Sequence, residues 1–236
     1  MKISFRRVVE IHRNSIIKNG TTEGFFNVFI FRKISIIISW ILAYLNVNPN
    51  IVTTISFLSC IAGGVLLFID FDSYKIISII FITLGFILDM SDGEVAKLTN
   101  KQSNLGGFYD SFFDRIIDIA LPLLFGMGFF LSLDRKDLLL LFFMICYVTI
   151  RSSIFYLDYT NLKLGLSESI ESIRKIGVLK FRSITKFIKW DGGFIVVLYS
   201  LAIFLEKIDL LFIFLTIYYG LMMCMGFVQI SKNLKK

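Results

Sequence analysis

The stretch "IISIIFITLGFILDMSDGEVAK", residues 76–97, decides the fold because it joins an apolar run to a cluster of carboxylates. The apolar segment that contains it extends from residue 74 to about residue 96. That is long enough for a membrane-spanning helix, which needs roughly 20 residues. A carboxylate placed in hydrocarbon costs about 2.5–3.5 kcal/mol on insertion scales. Acidic residues at the end of such a run therefore indicate a functional site.

The composition indicates an integral membrane protein. Hydrophobic residues make up 56% of the chain and charged residues 18%, and the mean hydropathy is +0.76. Soluble domains have roughly 45–50% apolar and about 25% charged residues. The apolar runs are continuous, whereas strands of a membrane β-barrel alternate apolar and polar residues. The three cysteines fall in separate apolar segments, a spacing that suits neither a disulfide framework nor a zinc site.

We predict an all-α membrane protein with six transmembrane helices preceded by amphipathic surface helices. The amphipathic helices are expected at residues 3–18 and 25–47, within a cytoplasmic N-terminal segment of residues 1–50. Residues 51–236 are expected to form one six-span domain. The fifth span is short unless it begins near Trp190. The spans are predicted at residues 51–69, 74–96, 106–133, 138–159, 194–205 and 210–230.

The distribution of basic residues predicts the orientation. If the N-terminus is cytoplasmic, only four of the 25 basic residues, Lys75, Arg135, Lys136 and Lys207, lie on the outer side. Short cytoplasmic loops retain Lys and Arg, so the acidic cluster is expected at the cytoplasmic face, as in a bacterial inner membrane. Residues 25–47 could also span the membrane, but the basic residues of the later links would then lie mostly on the outer side. The link 160–189 is basic and apolar, which favours contact with membrane lipid over direct substrate binding. No nucleic-acid partner is expected.

Two closely spaced pairs of aspartates form the candidate site. Asp89 and Asp92 are three residues apart, and Asp110 and Asp114 are four apart, so each pair shares one face of its helix. The short connection predicts antiparallel neighbouring helices that bring both pairs together. Four carboxylates in a low dielectric stay ionised only beside positive charge. Oxygen ligands without His or Cys favour Mg²⁺ or Mn²⁺, ions that commonly hold phosphates. Polar contacts between helices would need only one or two such groups.

The same residues resemble a known family signature. The pattern DxxDGxxAR, eight residues, GxxxDxxxD is that of the CDP-alcohol phosphotransferases. Every interval matches, and the one departure is Lys97, where the family has Arg. The matching residues are Asp89, Asp92, Gly93, Ala96, Gly106, Asp110 and Asp114. "NPNIVT" (residues 48–53) and "YVTIRS" (residues 147–152) are more weakly similar to other stretches of the family.

The resemblance implies an enzyme of phospholipid biosynthesis. Such enzymes transfer a substituted phosphoryl group from a CDP-linked alcohol, usually CDP-diacylglycerol, to the hydroxyl of a small polar acceptor, and release CMP. It also implies two divalent ions and a homodimer. By position, Asp89, Asp92 and Asp110 would ligate metal and hold the pyrophosphate. Asp114 would touch the second ion and accept the proton of the acceptor.

Further residues are candidates for the nucleotide. Gly93 and Gly106 remove side chains where a ligand must approach backbone, although close helix packing explains such glycines equally well. Lys97 keeps the charge of the family's Arg but loses its planar fork. Asn50 and Thr53 either hydrogen-bond the nucleotide phosphates or cap a helix.

The acceptor is expected to meet basic residues. Arg151 lies in the fourth span and either snorkels to the interface or binds a phosphate or carboxylate of the acceptor. In the second case Arg182 and Lys186 would assist from the following link. Glu94 could pair with Lys97 or Lys101, and we assign it no catalytic role.

Three other functions compete with the transferase. An aromatic prenyltransferase would need a second aspartate-rich cluster, and none follows Asp118. A transporter or cation channel would spread its charges across the membrane depth, whereas these aspartates gather at one end of two spans. A family relative without activity could act as a scaffold.

Overall fold

The computed structural model describes Val9 and residues 26–133, 137–163 and 192–234. All the regular structure in these residues is helical, which confirms the predicted fold class. A π-helical turn, Asn27–Phe31, continues directly into the first α-helix. The α-helices are α1 (Arg32–Tyr44), α2 (Pro49–Ile69), α3 (Phe71–Leu98), α4 (Asn104–Ser132), α5 (Leu138–Lys163), α6 (Gly192–Phe204) and α7 (Ile208–Leu234).

Six helical segments of the described chain are long and apolar enough to cross a membrane, so the protein is a multi-pass integral membrane protein. They are Asn27–Tyr44, Pro49–Ile69, Phe71–Leu98, Asn104–Ser132, Leu138–Leu157 and Ile208–Val228.

The number six agrees with the prediction, but two segments differ. Asn27–Tyr44, which we expected on the membrane surface, has the length and composition of a span. Conversely, α6 has 13 residues, about 20 Å at 1.5 Å per residue, which is shorter than the roughly 30 Å hydrocarbon core. The expected surface helix at residues 3–18 and the start near Trp190 lie outside the described residues.

The described residues form two compact units. The first contains residues 26–132 and 192–205, and the second contains residues 133, 137–163 and 206–234. In the second unit α5 packs on α7 around the buried ring of Tyr147, which meets Phe212 and Tyr219 edge-on at centroid distances of 5.8 and 5.9 Å. Edge-on aromatic pairs add to the energy of burial. A domain boundary at residue 50 stays a prediction.

Helix α2 is the shared neighbour of α3 and α4 in the first unit, while α3 and α4 touch each other at few positions. A Cβ on Gly85 of α3 would lie 2.9 Å from the carbonyl oxygen of Ser56 and closer still to the sulfur of Cys60. The hydroxyl of Ser56 donates to the carbonyl of Gly85 at 2.8 Å. Small residues let membrane helices approach closely in this way.

This arrangement corrects the expectation that α3 and α4 pack side by side. A link of only five residues joins them, but both helices pack along α2 instead. Gly128 of α4 also meets α2 closely, because a Cβ there would overlap the carbonyl of Leu67. Since the closest approaches are those with α2, the ends of α3 and α4 can diverge and leave a gap between them.

Two polar caps begin the central helices. The side chain of Asn48 accepts from the N–H of Asn50 at 3.0 Å, and Pro49 follows as the first residue of α2. The carboxylate of Asp70 accepts from the N–H of Ser73 at 3.1 Å at the start of α3. This backbone hydrogen bond holds the pKa of the exposed Asp70 below its usual value. Caps of this kind satisfy N–H groups that lack partners within the helix.

Helix α1 turns its polar residues inward. Its buried positions repeat every four residues and include two serines, and they pack on α3. Its outward positions are mostly isoleucines. The buried positions are Ser35, Ser39 and Ala43, preceded by Phe31, the last residue of the π-turn. The exposed positions of α1 include Ile34, Ile37 and Ile41. A surface helix would direct its polar side to water, so this polarity differs from the prediction.

Candidate metal and nucleotide site

Three of the four predicted aspartates converge. One carboxylate oxygen each from Asp89, Asp92 and Asp110 lies within 4.8 Å of the others. Two oxygens on opposite sides of a Mg²⁺ ion would be about 4 Å apart, because Mg–O distances are about 2.0–2.1 Å. Small side-chain adjustments would therefore close the three carboxylates on one ion. The set contains only oxygen donors and fits a hard divalent cation.

Thr53 holds Asp92 in place. Its hydroxyl donates to Oδ2 of Asp92 at 2.5 Å and lies 3.1 Å from the carbonyl oxygen of Pro49. Both Thr53 and Asp92 are buried, at 5% and 6% exposure. A hydroxyl carries one proton, and the short distance to a carboxylate marks the stronger bond. Thr53 therefore orients Asp92 from α2 and does not line the cavity described next.

A cavity of about 220 Å³ opens beside the aspartates in the first unit. Asp92 and Asp110 line it, together with four residues predicted to bind the nucleotide, which are Asn50, Gly93, Lys97 and Gly106. A Cβ placed on Gly93 would meet none of the described residues within 4 Å. Gly93 is therefore not required for helix packing, and its missing side chain leaves room in the cavity.

The link between α3 and α4 adds residues that the sequence reasoning missed. Lys101, Gln102 and Ser103 also line the cavity. Asn100 ends α3 in the left-handed region at φ 55°, a conformation in which Asn is enriched. The ammonium group of Lys101 then donates to the side chain of Asn46 at 2.9 Å. The sequence signal was the Asn and Ser pair flanking this basic link, which is typical of a turn followed by a helix cap.

Asp114 stands apart from the three converging aspartates. It lies one turn further along α4 and is exposed, and it does not belong to the group whose oxygens lie within 4.8 Å. Its charge still interacts with those of Asp89 and Asp110. The sequence predicted one cluster of four carboxylates, and the described geometry gives three with a fourth beside them.

Glu94 pairs with a residue far away in the sequence. Its carboxylate accepts from Nη1 of Arg32 at 2.8 Å, a partner on another helix that the sequence did not suggest. A pair with Lys97 or Lys101 stays a prediction. On a helix Glu94 lies about 200° around from Asp92, because each residue turns the chain by about 100°. It therefore faces α1, whereas Lys97 is exposed at the cavity.

Arg151 belongs to the second unit. Its guanidinium lies 4.8 Å from the ring centroid of Phe155 and 4.7 Å from that of Tyr219. Guanidinium groups are attracted to aromatic faces at such distances, so the side chain is held between α5 and α7. The other two residues proposed for the acceptor, Arg182 and Lys186, lie outside the described residues.

Comparison with known proteins shows which family the chain is similar to. Residues 46–227 match the family described as CDP-alcohol phosphatidyltransferase. An archaetidylinositol phosphate synthase of Pyrococcus horikoshii is 28% identical over 168 residues, which are 71% of this chain and 85% of that protein.

Two further relatives share a shorter region. They are described as bifunctional IPC transferase and DIPP synthase, from Archaeoglobus fulgidus (40% identical over 100 residues) and Thermococcus kodakarensis (35% over 99 residues). The matches cover 42% of this chain but only 19% and 22% of those longer proteins. The family match includes both aspartate pairs and extends over most of the described helices, and it confirms the resemblance drawn from the signature. The chain belongs to the CDP-alcohol phosphatidyltransferase family.

Proposed function

We propose that the protein transfers a phosphatidyl-type group from a CDP-linked alcohol to the hydroxyl of a polar acceptor and releases CMP in phospholipid synthesis. The observation that carries this proposal is the convergence of Asp89, Asp92 and Asp110 beside a cavity whose wall includes Gly93. A diphosphate requires counter-charge, and its nucleoside requires open backbone nearby. The three carboxylates with a divalent ion would supply the counter-charge, and Gly93 would supply the open backbone.

The residues divide the work. Asp89, Asp92 and Asp110 would bind Mg²⁺ or Mn²⁺, and two ions fit the family pattern. When bound, the metal would neutralise the diphosphate and stabilise charge on the attacking and leaving oxygens. Lys97 and Asn50, which line the cavity, would contact the nucleotide. Thr53 would act on the nucleotide only through Asp92.

Asp114 is our candidate for the general base. The acceptor oxygen forms a bond to the phosphorus that carries the lipid alcohol, and the bond from that phosphorus to the bridging oxygen breaks as CMP leaves. The proton of the acceptor hydroxyl must move to a base, and positioned bases contribute about 10²–10⁴-fold to rates. Asp114 is exposed and adjacent to the metal ligands, so an acceptor can reach it.

The substrates are proposed from chemistry and from the relatives. CDP-diacylglycerol is the proposed donor, and a CDP-linked archaeol is the alternative indicated by the name of the Pyrococcus relative. That name describes a lipid with an inositol phosphate headgroup, so inositol phosphate is the first acceptor to test. Arg151 is the proposed contact for the acceptor's anionic group, assisted by Arg182 or Lys186.

Purified protein with Mn²⁺ and labelled CDP-diacylglycerol or CDP-archaeol tests the proposal. CMP should be released with at least one acceptor from a panel of inositol phosphate, inositol, glycerol phosphate, serine and amino alcohols. Asp114→Asn should abolish turnover and leave binding of a cytidine nucleotide intact. No CMP with any acceptor, or rapid ion flux through vesicles containing the protein, would favour a scaffold or a transporter instead.

A cytoplasmic active site and a homodimer complete the proposal. The concentration of basic residues on one side of the predicted spans supports a cytoplasmic active site, and we place the protein in a bacterial inner membrane. Likeness to the family supports the homodimer. Light scattering of the protein in detergent measures the mass directly, and a monomer that retains turnover would remove the dimer from the account.

A further inference from the structure

A buried polar seam joins α1 to the end of α3 that carries the aspartates. Glu94 of α3 is 6% exposed, and α1 engages both of its carboxylate oxygens. Oε1 accepts from Nη1 of Arg32 at 2.8 Å, and Oε2 accepts from the hydroxyl of Ser39 at 2.6 Å. The seam comprises Arg32, Ser35 and Ser39 of α1 with Ser91 and Glu94 of α3.

Apolar clusters enclose the seam at both ends. Phe31 packs with Ile87 and Val196 on one side, and Ala43 packs with Leu98 on the other. The serines of the seam are fully buried. Hydrogen bonds in such surroundings are stronger than in water, and losing one partner leaves a buried polar group exposed to a low dielectric.

Stability alone is a poor explanation for this seam. Desolvation of a buried ion pair offsets much of its attraction, and apolar residues of similar size often stabilise a protein as well or better. An ion pair adds a defined orientation of the two helices that it joins. The seam lies at the end of α3 where the positions of the aspartates depend on that orientation. Ser91 and Glu94 flank Asp92 on both sides along α3.

The end of α3 has little direct support from α4. The two helices touch at few positions, yet Asp89 and Asp92 on α3 must reach Asp110 on α4. On one side Thr53 of α2 holds Asp92. On the opposite side α1 holds Glu94. The two contacts together fix how α3 is rotated about its axis, and therefore where its two metal-binding carboxylates lie.

We propose that Glu94 is a positioning residue for the metal site. Its contacts with Arg32 and Ser39 fix the last turns of α3 so that Asp89 and Asp92 converge with Asp110. The link from this geometry to catalysis rests on the proposed function, but the geometry itself is tested by metal binding without turnover. Sequence position alone predicts no such role for Glu94, because its partner Arg32 lies 62 positions earlier in the chain.

The test is a titration of the purified full-length protein with Mn²⁺, in which the signal of free Mn²⁺ is followed by electron paramagnetic resonance. Glu94→Gln keeps the shape of the side chain but removes the charge that faces Arg32. We expect its Mn²⁺ dissociation constant to rise about tenfold, the lower end of the effect of residues that orient metal ligands. Ser39→Ala, a smaller change, should raise it about threefold, whereas Arg32→Lys should retain most of the wild-type affinity.

Ile82→Ala is the matched control. Ile82 is a buried residue of α3, 1% exposed, and it lies about two turns before Asp89. Its truncation should lower the unfolding temperature and leave the Mn²⁺ affinity unchanged. If both Glu94→Gln and Ser39→Ala bind Mn²⁺ as the wild type does, the inference is overturned and the proposed function stands. The same holds if Ile82→Ala loses Mn²⁺ affinity as much as Glu94→Gln. If the wild type binds no Mn²⁺, the proposed function fails first.

Discussion

Thr53 contacts the aspartate cluster through a single hydrogen bond. Its hydroxyl donates to Asp92, and Thr53→Val replaces the hydroxyl by a methyl group of similar size. Because the buried carboxylate then loses a charge-assisted hydrogen bond, we expect the Mn²⁺ affinity to fall about 10–100-fold. Isothermal titration with Mn²⁺ measures the change.

Thr54→Val is the control, since Thr54 is exposed and, among the described residues, its hydroxyl bonds to the carbonyl of Asn50 in its own helix. Equal affinities of the two valine variants would remove Thr53 from the metal site.

Substitution of Gly93 tests whether this glycine serves ligand binding or helix packing. A Cβ there would meet no atom of the described residues within 4 Å, and Gly93 itself lines the cavity. Gly93→Ala should leave the unfolding temperature unchanged or raise it slightly, because Ala favours a helix over Gly by about 1 kcal/mol. The affinity for a cytidine nucleotide should fall about tenfold in equilibrium binding. Unchanged nucleotide affinity would show that Gly93 has no role in nucleotide binding.

The residues of the site were predictable where one motif contains them. The intervals from Asp89 to Asp114 predicted a cluster of carboxylates, and three of its four members converge. The open space at Gly93 agrees with its expected role. Thr53 was assigned to the nucleotide because its sequence position says nothing about which acceptor its hydroxyl meets. The partner of Glu94 could not be predicted for the same reason, since Arg32 lies on another helix.

At the scale of helices, the contact between α2 and α3 depends on small residues. Gly85→Ala would press a methyl group against the carbonyl of Ser56. Overpacking of this kind costs about 1–3 kcal/mol, so we expect a lower unfolding temperature in detergent.

Gly226→Ala in α7 is the control, because a Cβ there would meet nothing within 4 Å in the part of the chain that the structure describes. It should unfold at or slightly above the wild-type temperature. If Gly85→Ala unfolds no earlier than Gly226→Ala, the close packing of α2 on α3 is not as described.

The sequence predicted most helices because an apolar run of sufficient length has few alternatives in a membrane. It did not predict which helices touch. The short link between α3 and α4 suggested side-by-side packing, but glycines at positions such as Gly85 and Gly128 draw both helices onto α2. Hydropathy also could not reveal that Ser35 and Ser39 face the protein, because it counts polar residues without saying what lies beside them.

For the whole molecule, the open question of orientation concerns α1. Reporters that fluoresce only in the cytoplasm, one fused to the N-terminus and one placed in the link between α3 and α4 at residues 99–103, distinguish the two topologies. We expect both reporters to fluoresce, because basic residues concentrate on one side of the predicted spans. If only one of the two fluoresces, α1 crosses the membrane. A dark reporter in the link would place the aspartates on the outer face.

The central claim is that Asp89, Asp92 and Asp110 share a divalent ion at the wall of the nucleotide cavity. Crystals grown with Mn²⁺ and a cytidine nucleotide test it directly through anomalous scattering at the manganese edge. The account predicts a peak within about 2.6 Å of oxygens of all three carboxylates, the upper limit for hard divalent cations, with the diphosphate beside it. Manganese bound elsewhere, with these side chains pointing apart, would contradict it.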